Sequence, residues 1–381
     1  MSPVCMHSLR GMCTSRPSIS PHGVCCRNSS IRLMNVTARR VQSKSMNAKV
    51  GLCVNPMSGR DVRRLAARAS NMTHEAKRDI VARVAAGADA MGATDIYIAR
   101  EPFSIASKAL EFMDLKARVH IIEYPITNTA KDTEVMIQRF KAEGCNTVVS
   151  LGGDGTNRAI VRACADLDLI PISTGTNNVF PMLVEPTIAG MVAGLNARGV
   201  IHAADGALKQ ATKVLHVETP RATDIGLIDA VLLADDKVGN LLPFDAERLR
   251  RMVLTRAEPN AIGMSPIGGF IDPVYAADDQ GLLVDMGPGG QVVHAPLSPG
   301  MFRPIPVIDT QRVALDQPIK FSGPGVIALD GDRDHDLAEG EVAWVTVKRD
   351  GPRVFDTHAA MRWAVAEGMM APAELMPRVS G

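Results

Sequence analysis

Five short apolar runs between Lys49 and Ser173 alternate with helical stretches, and this alternation constrains the fold more than any other feature of the chain. The runs are "KVGLCVN" from Lys49, "DIYIA" from Asp95, "RVHIIEY" from Arg118, "NTVVSL" from Asn146 and "LIPIS" from Leu169. They are nearly continuous in apolar residues, as strands covered on both faces must be. Helices are expected from about Thr73 to Met91, over Ile105–Met113, over Lys131–Glu143 and from near Thr156. Strand and helix in strict succession predict a Rossmann-like α/β unit: a parallel sheet with helices on both faces.

After about Val200 the texture changes. "TKVLHVET", "TDIGLIDAVLLA", "GLLVDM", "QVVHA", "GVIAL" and "EVAWVTVKR" follow one another across Gly/Pro clusters, with no strong helix between most of them. This half reads as antiparallel β, in a sandwich. A last helical stretch runs over Thr357–Glu367. At 381 residues the chain is long enough for two domains. The expected division is a leader at 1–46, an α/β domain at 47–200, a β-sandwich at 201–350 and a helix packing back at 351–381.

The leader stands apart in composition. Its Arg10, Arg16, Arg27, Arg32, Arg39 and Arg40 are scattered among serines with no acid, and it holds Cys5, Cys13, Cys25 and Cys26. Two readings stay open: an organelle transit peptide, or an over-extended start with the protein proper beginning at Met46. Cys53, Cys145 and Cys164 have no paired spacing, so neither zinc nor a disulfide framework is expected, and a reducing, cytoplasmic compartment is the default. A net charge of +1 and 4% aromatics give no footprint for nucleic acid. No run of 18 apolar residues suggests a membrane span. His216, His294 and His335 have no metal-ligand spacing.

Ligands of open parallel sheets bind outside the carboxyl ends of the strands. Three polar, glycine-bearing segments fall at such ends: Asn55-Pro56-Met57-Ser58-Gly59, Gly152-Gly153-Asp154-Gly155-Thr156 and Thr174-Gly175-Thr176-Asn177-Asn178. Glycine lets backbone N–H groups approach a phosphate closely. Ser58, Thr156, Thr174 and Thr176 add hydroxyl donors, and a helix starting near Thr156 offers its positive end. Each segment alone is compatible with a plain turn; together they predict one phosphate crevice. Asp154 is the odd member, since a carboxylate repels a bare phosphate. It fits if it binds a Mg²⁺ bridging the phosphates, or takes a proton from an attacking hydroxyl. No G-x-x-x-x-G-K-[ST] segment is present, which disfavours a P-loop nucleotidase.

The Gly-Gly-Asp-Gly-Thr element after an apolar strand, with Asn-Pro-Met-Ser-Gly upstream, resembles the NAD kinase and diacylglycerol kinase superfamily. Ser265-Pro266-Ile267-Gly268-Gly269 is similar to the Thr-Pro-Thr-Gly-Ser loop of NAD kinases, and Asp330-Gly331-Asp332 to the Asp-Gly-Glu of the β-rich domain. "NAIGMSPIGGFIDP" and "TGTNNVFP" look most like the acetoin-catabolism branch usually grouped with NAD kinases. The resemblance implies a site in a cleft between an α/β domain and a β-sandwich, and phosphoryl transfer from ATP with Mg²⁺. It implies that Gly152, Gly153, Asp154, Gly155 and Thr156 hold phosphates, with Asp154 as catalytic carboxylate and metal ligand. It further assigns Asn55, Ser58, Gly59, Thr174, Gly175, Thr176, Asn177, Asn178, Ser265 and Gly268 to the nucleotide. Asp332 stands where the lipid kinases carry a candidate base; Asp330-Gly331 reads equally as a hairpin turn.

The departures concern the substrate. No Asn-Glu pair, which grips the dinucleotide in NAD kinases, occurs anywhere; Asp224 or Asp229 is the candidate replacement. The lipid-kinase Gly-Thr-Gly-Asn-Asp is here Gly-Thr-Asn-Asn-Val. The leading expectation is an ATP-dependent small-molecule kinase of the NAD-kinase type, with the adenosine-ribose 2′-hydroxyl of NAD as a candidate acceptor. A lipid kinase and a non-catalytic nucleotide-binding regulator are the alternatives. A homo-oligomer is compatible with the superfamily.

Overall fold

The computed structural model describes residues 47–59, 71–201, 206–240 and 244–370. The leader expected at 1–46 and the chain end at 371–381 lie outside the described residues. The described residues form one compact unit.

The first half is built as the alternation predicts. Strands β1 (Lys49–Val54), β2 (Asp95–Ala99), β3 (Arg118–Ile122), β4 (Thr147–Gly152) and β5 (Asp168–Ser173) lie parallel in the order β3-β2-β1-β4-β5. Between them run α1 (His74–Ala90), α2 (Ile105–Leu110), α3 (Ala130–Ala142) and α4 (Asp154–Ala163). One helix was not foreseen: α5 (Pro186–Ala197), entered through Glu185, whose carboxylate accepts the Ile188 N–H, with Pro186 in the first turn. Its residues are apolar on nearly every side, so no helical stripe marks it in the sequence. It lies so close on α1 that a Cβ at Gly190 would strike the Val84 carbonyl at 2.1 Å.

The second half supplies two antiparallel sheets. One has the order β12-β11-β10-β9-β14-β15, made of β9 (Asp229–Leu233), β10 (Leu249–Leu254), β11 (Gln280–Ser298), β12 (Met301–Ala314), β14 (Gly325–Leu329) and β15 (Asp332–Leu337). The other is β13-β16-β7-β8, from β7 (Val214–Glu218), β8 (Thr223–Gly226), β13 (Pro318–Ser322) and β16 (Val342–Lys348). Leu232, Val253 and Ile327 of the first sheet share a buried core with Leu215, Phe321 and Val345 of the second, which makes the pair a sandwich. "GLLVDM" and "QVVHA" belong to one strand, β11; Gly287 and Gly289, both at positive φ, interrupt its register rather than end it.

Two short strands of the later chain return to the parallel sheet. β17 (Arg353–Phe355) runs parallel beside β5, and β6 (Lys209–Ala211) closes the edge antiparallel to β17. The last helix, α7 (Thr357–Ala366), buries Ala360 and Ala364 in the core shared by α1 and α5. No helix among the described residues is long and apolar enough to cross a membrane.

Candidate functional site

In the order β3-β2-β1-β4-β5 the chain reverses direction between β1 and β4, the place where crevices open in sheets of this kind. The loops leaving β1, β4 and β5 meet there. Asn55 accepts the N–H groups of Met57 and Ser58 on Oδ1, at 2.8 and 3.3 Å, and donates from Nδ2 to Thr156 Oγ1 at 2.7 Å. Ser58 Oγ lies 2.7 Å from Thr174 Oγ1, joining the first loop to the third. Gly153 and Gly175 approach so closely that a Cβ on Gly175 would sit 2.9 Å from the Gly153 Cα and 2.4 Å from Asn178 Oδ1. Only glycine fits there. Beneath the first loop, fully buried Lys77 on α1 donates to the carbonyls of Asn55 (2.8 Å) and Pro56 (2.7 Å).

The converged loops line a cleft of about 610 Å³, with Phe103, Tyr124 and Met136 on its further walls. At its floor α4 begins. Gly153 is the N-cap and provides no side-chain acceptor, so the N–H groups of the first turn are left for a ligand. Among the expected contacts, Asn55, Ser58, Gly59, Gly153, Asp154, Gly155, Thr156, Gly175, Thr176, Asn177, Asn178 and Asp332 all line this cleft. Gly152 ends β4 directly behind it, and Thr174 is tied in through Ser58.

Ser265 and Gly268 depart from the expectation. They lie in a five-residue helix, α6 (Ser265–Gly269), that the structure buries rather than brings to the cleft. Ser265 Oγ is spent on the Glu258 N–H (2.8 Å) and the Arg256 carbonyl (2.9 Å). A Cβ on Gly268 would strike Leu282 at 2.5 Å, so that glycine serves core packing. Asp224 is likewise elsewhere, paired with Arg162 at 2.7 Å and His335 at 3.1 Å. Asp229 is the member of that pair which reaches the site.

A second, much narrower cavity of about 60 Å³ adjoins the cleft. Asp154, Asn177 and Asp330 line both spaces. The carboxylate of Asp154 accepts the backbone N–H groups of Val179 (3.2 Å to each oxygen) and Phe180 (2.9 Å). Burial pushes its pKa up to about 7, and the neighbouring charge of Asp330 adds to the rise against those hydrogen bonds.

Asp330 is the residue that sequence reasoning passed over in favour of Asp332. Asp330 and Gly331 do form a two-residue hairpin turn between β14 and β15, both at positive φ, as one of the two readings expects. The turn also aims the Asp330 carboxylate at the N–H groups of Leu227 (2.8 Å), Ile228 (2.7 Å) and Asp229 (3.3 Å). Burial raises its pKa as well, against the pull of Arg158. Two enclosed carboxylates side by side do not ionise independently. Asp332 stands further out beside Gly155, its carboxylate 3.7 Å from Arg158. Arg158, on α4, donates to the Leu329 carbonyl (2.6 Å) and Asp334 (2.5 Å), and so clamps the glycine-loop helix to the hairpin that carries Asp330. Its place in the motif, four residues after Asp154 and so one helical turn on, was the available signal.

Among the described residues no group of three or more His, Cys, Asp or Glu side chains could hold a metal ion unaided. Mg²⁺ is ordinarily held by one or two carboxylates together with substrate phosphates. Asp154 at the foot of a phosphate-sized cleft fits that donor set. A third and larger cavity, about 800 Å³, lies between the start of α5, β6 and α7 and contains none of the expected site residues.

Residues 37–200 match the ATP-NAD kinase N-terminal domain and residues 213–350 the acetoin catabolism protein X C-terminal domain. Acetoin catabolism protein X of Cupriavidus necator is 29% identical over 335 residues, covering 84% of this chain and 93% of that protein. Among solved structures, yeast NADH kinase complexed with NADH aligns with 12% identity and a TM-score of 0.49, over 86% of this chain and 89% of that one.

Proposed function

The chain is an NAD kinase-like protein, and on that premise we propose that it transfers the γ-phosphoryl group of ATP to an alcohol acceptor. The observation that carries the proposal is the position of Asp154, on the wall shared by a nucleotide-sized cleft and an inner cavity. The phosphates lie along the first-turn N–H groups of α4 and the hydroxyls of Thr156 and Thr176. Those donors are fixed before the substrate arrives, so they stabilise charge that develops in transfer without reorganising. Asp154, poised at about 7, takes the proton of the attacking hydroxyl. Asp154 would help hold a Mg²⁺ ion, which would supply neutralisation of the phosphate charge.

The adenosine-ribose 2′-hydroxyl of NAD is the acceptor that the kinase resemblance suggests. The name of the Cupriavidus relative sets that protein in acetoin catabolism, and the same metabolic setting is proposed for this chain. Incubating the full chain with γ-labelled ATP, Mg²⁺ and NAD, diacylglycerol or small polyols tests the reaction class. Label in any alcohol supports it. Tight ATP binding with no transfer to any of them contradicts it and favours a regulatory nucleotide-binding protein.

A further inference from the structure

The cleft and the inner cavity differ about tenfold in volume, 610 against 60 Å³. The cleft falls within the ~300–1,000 Å³ usual for ligand sites. The cavity does not. One water needs roughly 10–15 Å³ on the same measure, so the cavity holds about four to six water-sized groups. A dinucleotide or a diacylglycerol is far larger.

Its lining is as informative as its size. Ile262, Met264, Leu297, Met301 and Phe244 give the lining its apolar part. Phe244 carries the Arg333 guanidinium 4.5 Å above its ring, and that guanidinium is held by Asp236 at 2.7 Å. Asp154, Asp229 and Asp330 complete the lining. Asn177 also lines the cavity. Its Nδ2 donates to the Leu297 carbonyl (2.8 Å) and Ser298 Oγ (3.2 Å), which settles which end of the amide is oxygen. Its Oδ1 is buried and has no hydrogen-bond partner among the described residues. The three carboxylates in the lining disfavour an anionic acceptor.

We infer that the acceptor is a small neutral polyol or hydroxyketone of about four to six non-hydrogen atoms, seated in the inner cavity with one hydroxyl toward Asp154. The inference rests on the kinase reading above and names its substrate class. The acceptor oxygen forms a bond to the γ-phosphorus of ATP, the bond from that phosphorus to the β–γ bridging oxygen breaks, and ADP leaves with the bond's electron pair. The hydroxyl proton passes to Asp154.

The test uses the full chain with γ-labelled ATP and Mg²⁺. Glycerol, 1,2-propanediol and dihydroxyacetone are set against NAD and diacylglycerol, and the phosphorylated products are identified by mass. Label is expected in at least one small alcohol with kcat/KM about tenfold or more above that for NAD. Met301→Ala opens the cavity wall, and the ratio of kcat/KM for xylitol over glycerol is expected to rise about tenfold, within the range that one or two methylenes of pocket shape are worth. Met301→Trp, which fills the cavity instead, is expected to raise the glycerol KM while the KM for ATP moves less. Transfer to NAD or lipid in preference to every small alcohol overturns the small-acceptor inference and leaves the kinase reading standing. Failure of the unaltered chain to bind ATP overturns the kinase reading beneath it.

Discussion

The cleft and the inner cavity share Asp154 but are built on opposite plans. The phosphate side of the cleft is made of backbone and short polar side chains, from three loops that each follow a parallel strand directly, while Phe103, Tyr124 and Met136 close its further walls. The cavity is made of long side chains drawn from places as distant as Asn177, Phe244, Leu297 and Arg333. A phosphate is recognised by what all phosphates share, so N–H groups and hydroxyls at a helix start suffice. An acceptor must be told from its competitors by shape, and shape needs side chains. The local plan leaves a motif in the chain; the dispersed one does not.

The largest expected effect falls on the residue both spaces share. Asp154→Asn should lower kcat about 10²–10⁴-fold, the usual worth of a positioned base, with ATP affinity changed far less. Because burial raises the Asp154 pKa from 3.8 to about 7, the folded chain binds this proton more tightly than the unfolded one. Stability from this group is therefore lost as pH rises from near 4 to about 7. The same variant should then melt higher than the parent at pH 8 and level with it below pH 4. A variant that melts lower at pH 8 breaks this account of the carboxylate.

The cleft alone is tested next. Gly175→Val places side-chain carbon against the Gly153 Cα and Asn178, and overpacking of that sort costs about 1–3 kcal/mol. ATP binding, read by calorimetry, should weaken at least tenfold. Lys77→Met removes the ammonium under the carbonyls of Asn55 and Pro56 and should raise the KM for ATP several-fold with little change in kcat. An equal fall in kcat would place Lys77 in the chemistry rather than under the loop. The smallest effect is a displacement in pH. kcat/KM for the acceptor should climb as pH rises to about 7, where Asp154 becomes the free base. Asp330→Asn removes the neighbouring negative charge, so the midpoint should move down.

What could be read from the chain follows the same division. The parallel strands are continuous apolar runs and their loops carry the glycines, so the sequence alone brings the loops holding Asn55 and Ser58, Gly153–Thr156 and Gly175–Asn178 to one crevice, where the structure also places them. Helix α5 escaped because a helix buried against α1 by its glycines shows no polar face. Ser265 and Gly268 were drawn to the nucleotide by likeness to a loop whose place here is taken by a buried turn of helix. Asp330 was discounted because Asp-Gly is the ordinary currency of hairpins; it is such a turn, and its carboxylate nonetheless lies beside Asp154. No local pattern distinguishes a turn aspartate facing water from one facing a cavity more than 170 residues away in sequence.

The account's central claim is that ATP lies in the cleft with its γ-phosphate at Asp154, against the opening of the inner cavity. A crystal structure with Mg²⁺ and a non-hydrolysable ATP analogue tests it most directly. Phosphate oxygens are expected on the N–H groups of Gly153–Thr156 and on the hydroxyl of Thr156, with the terminal phosphate toward Asp154. A nucleotide seated instead in the larger cavity between α5, β6 and α7, with the glycine loops bare, would contradict it.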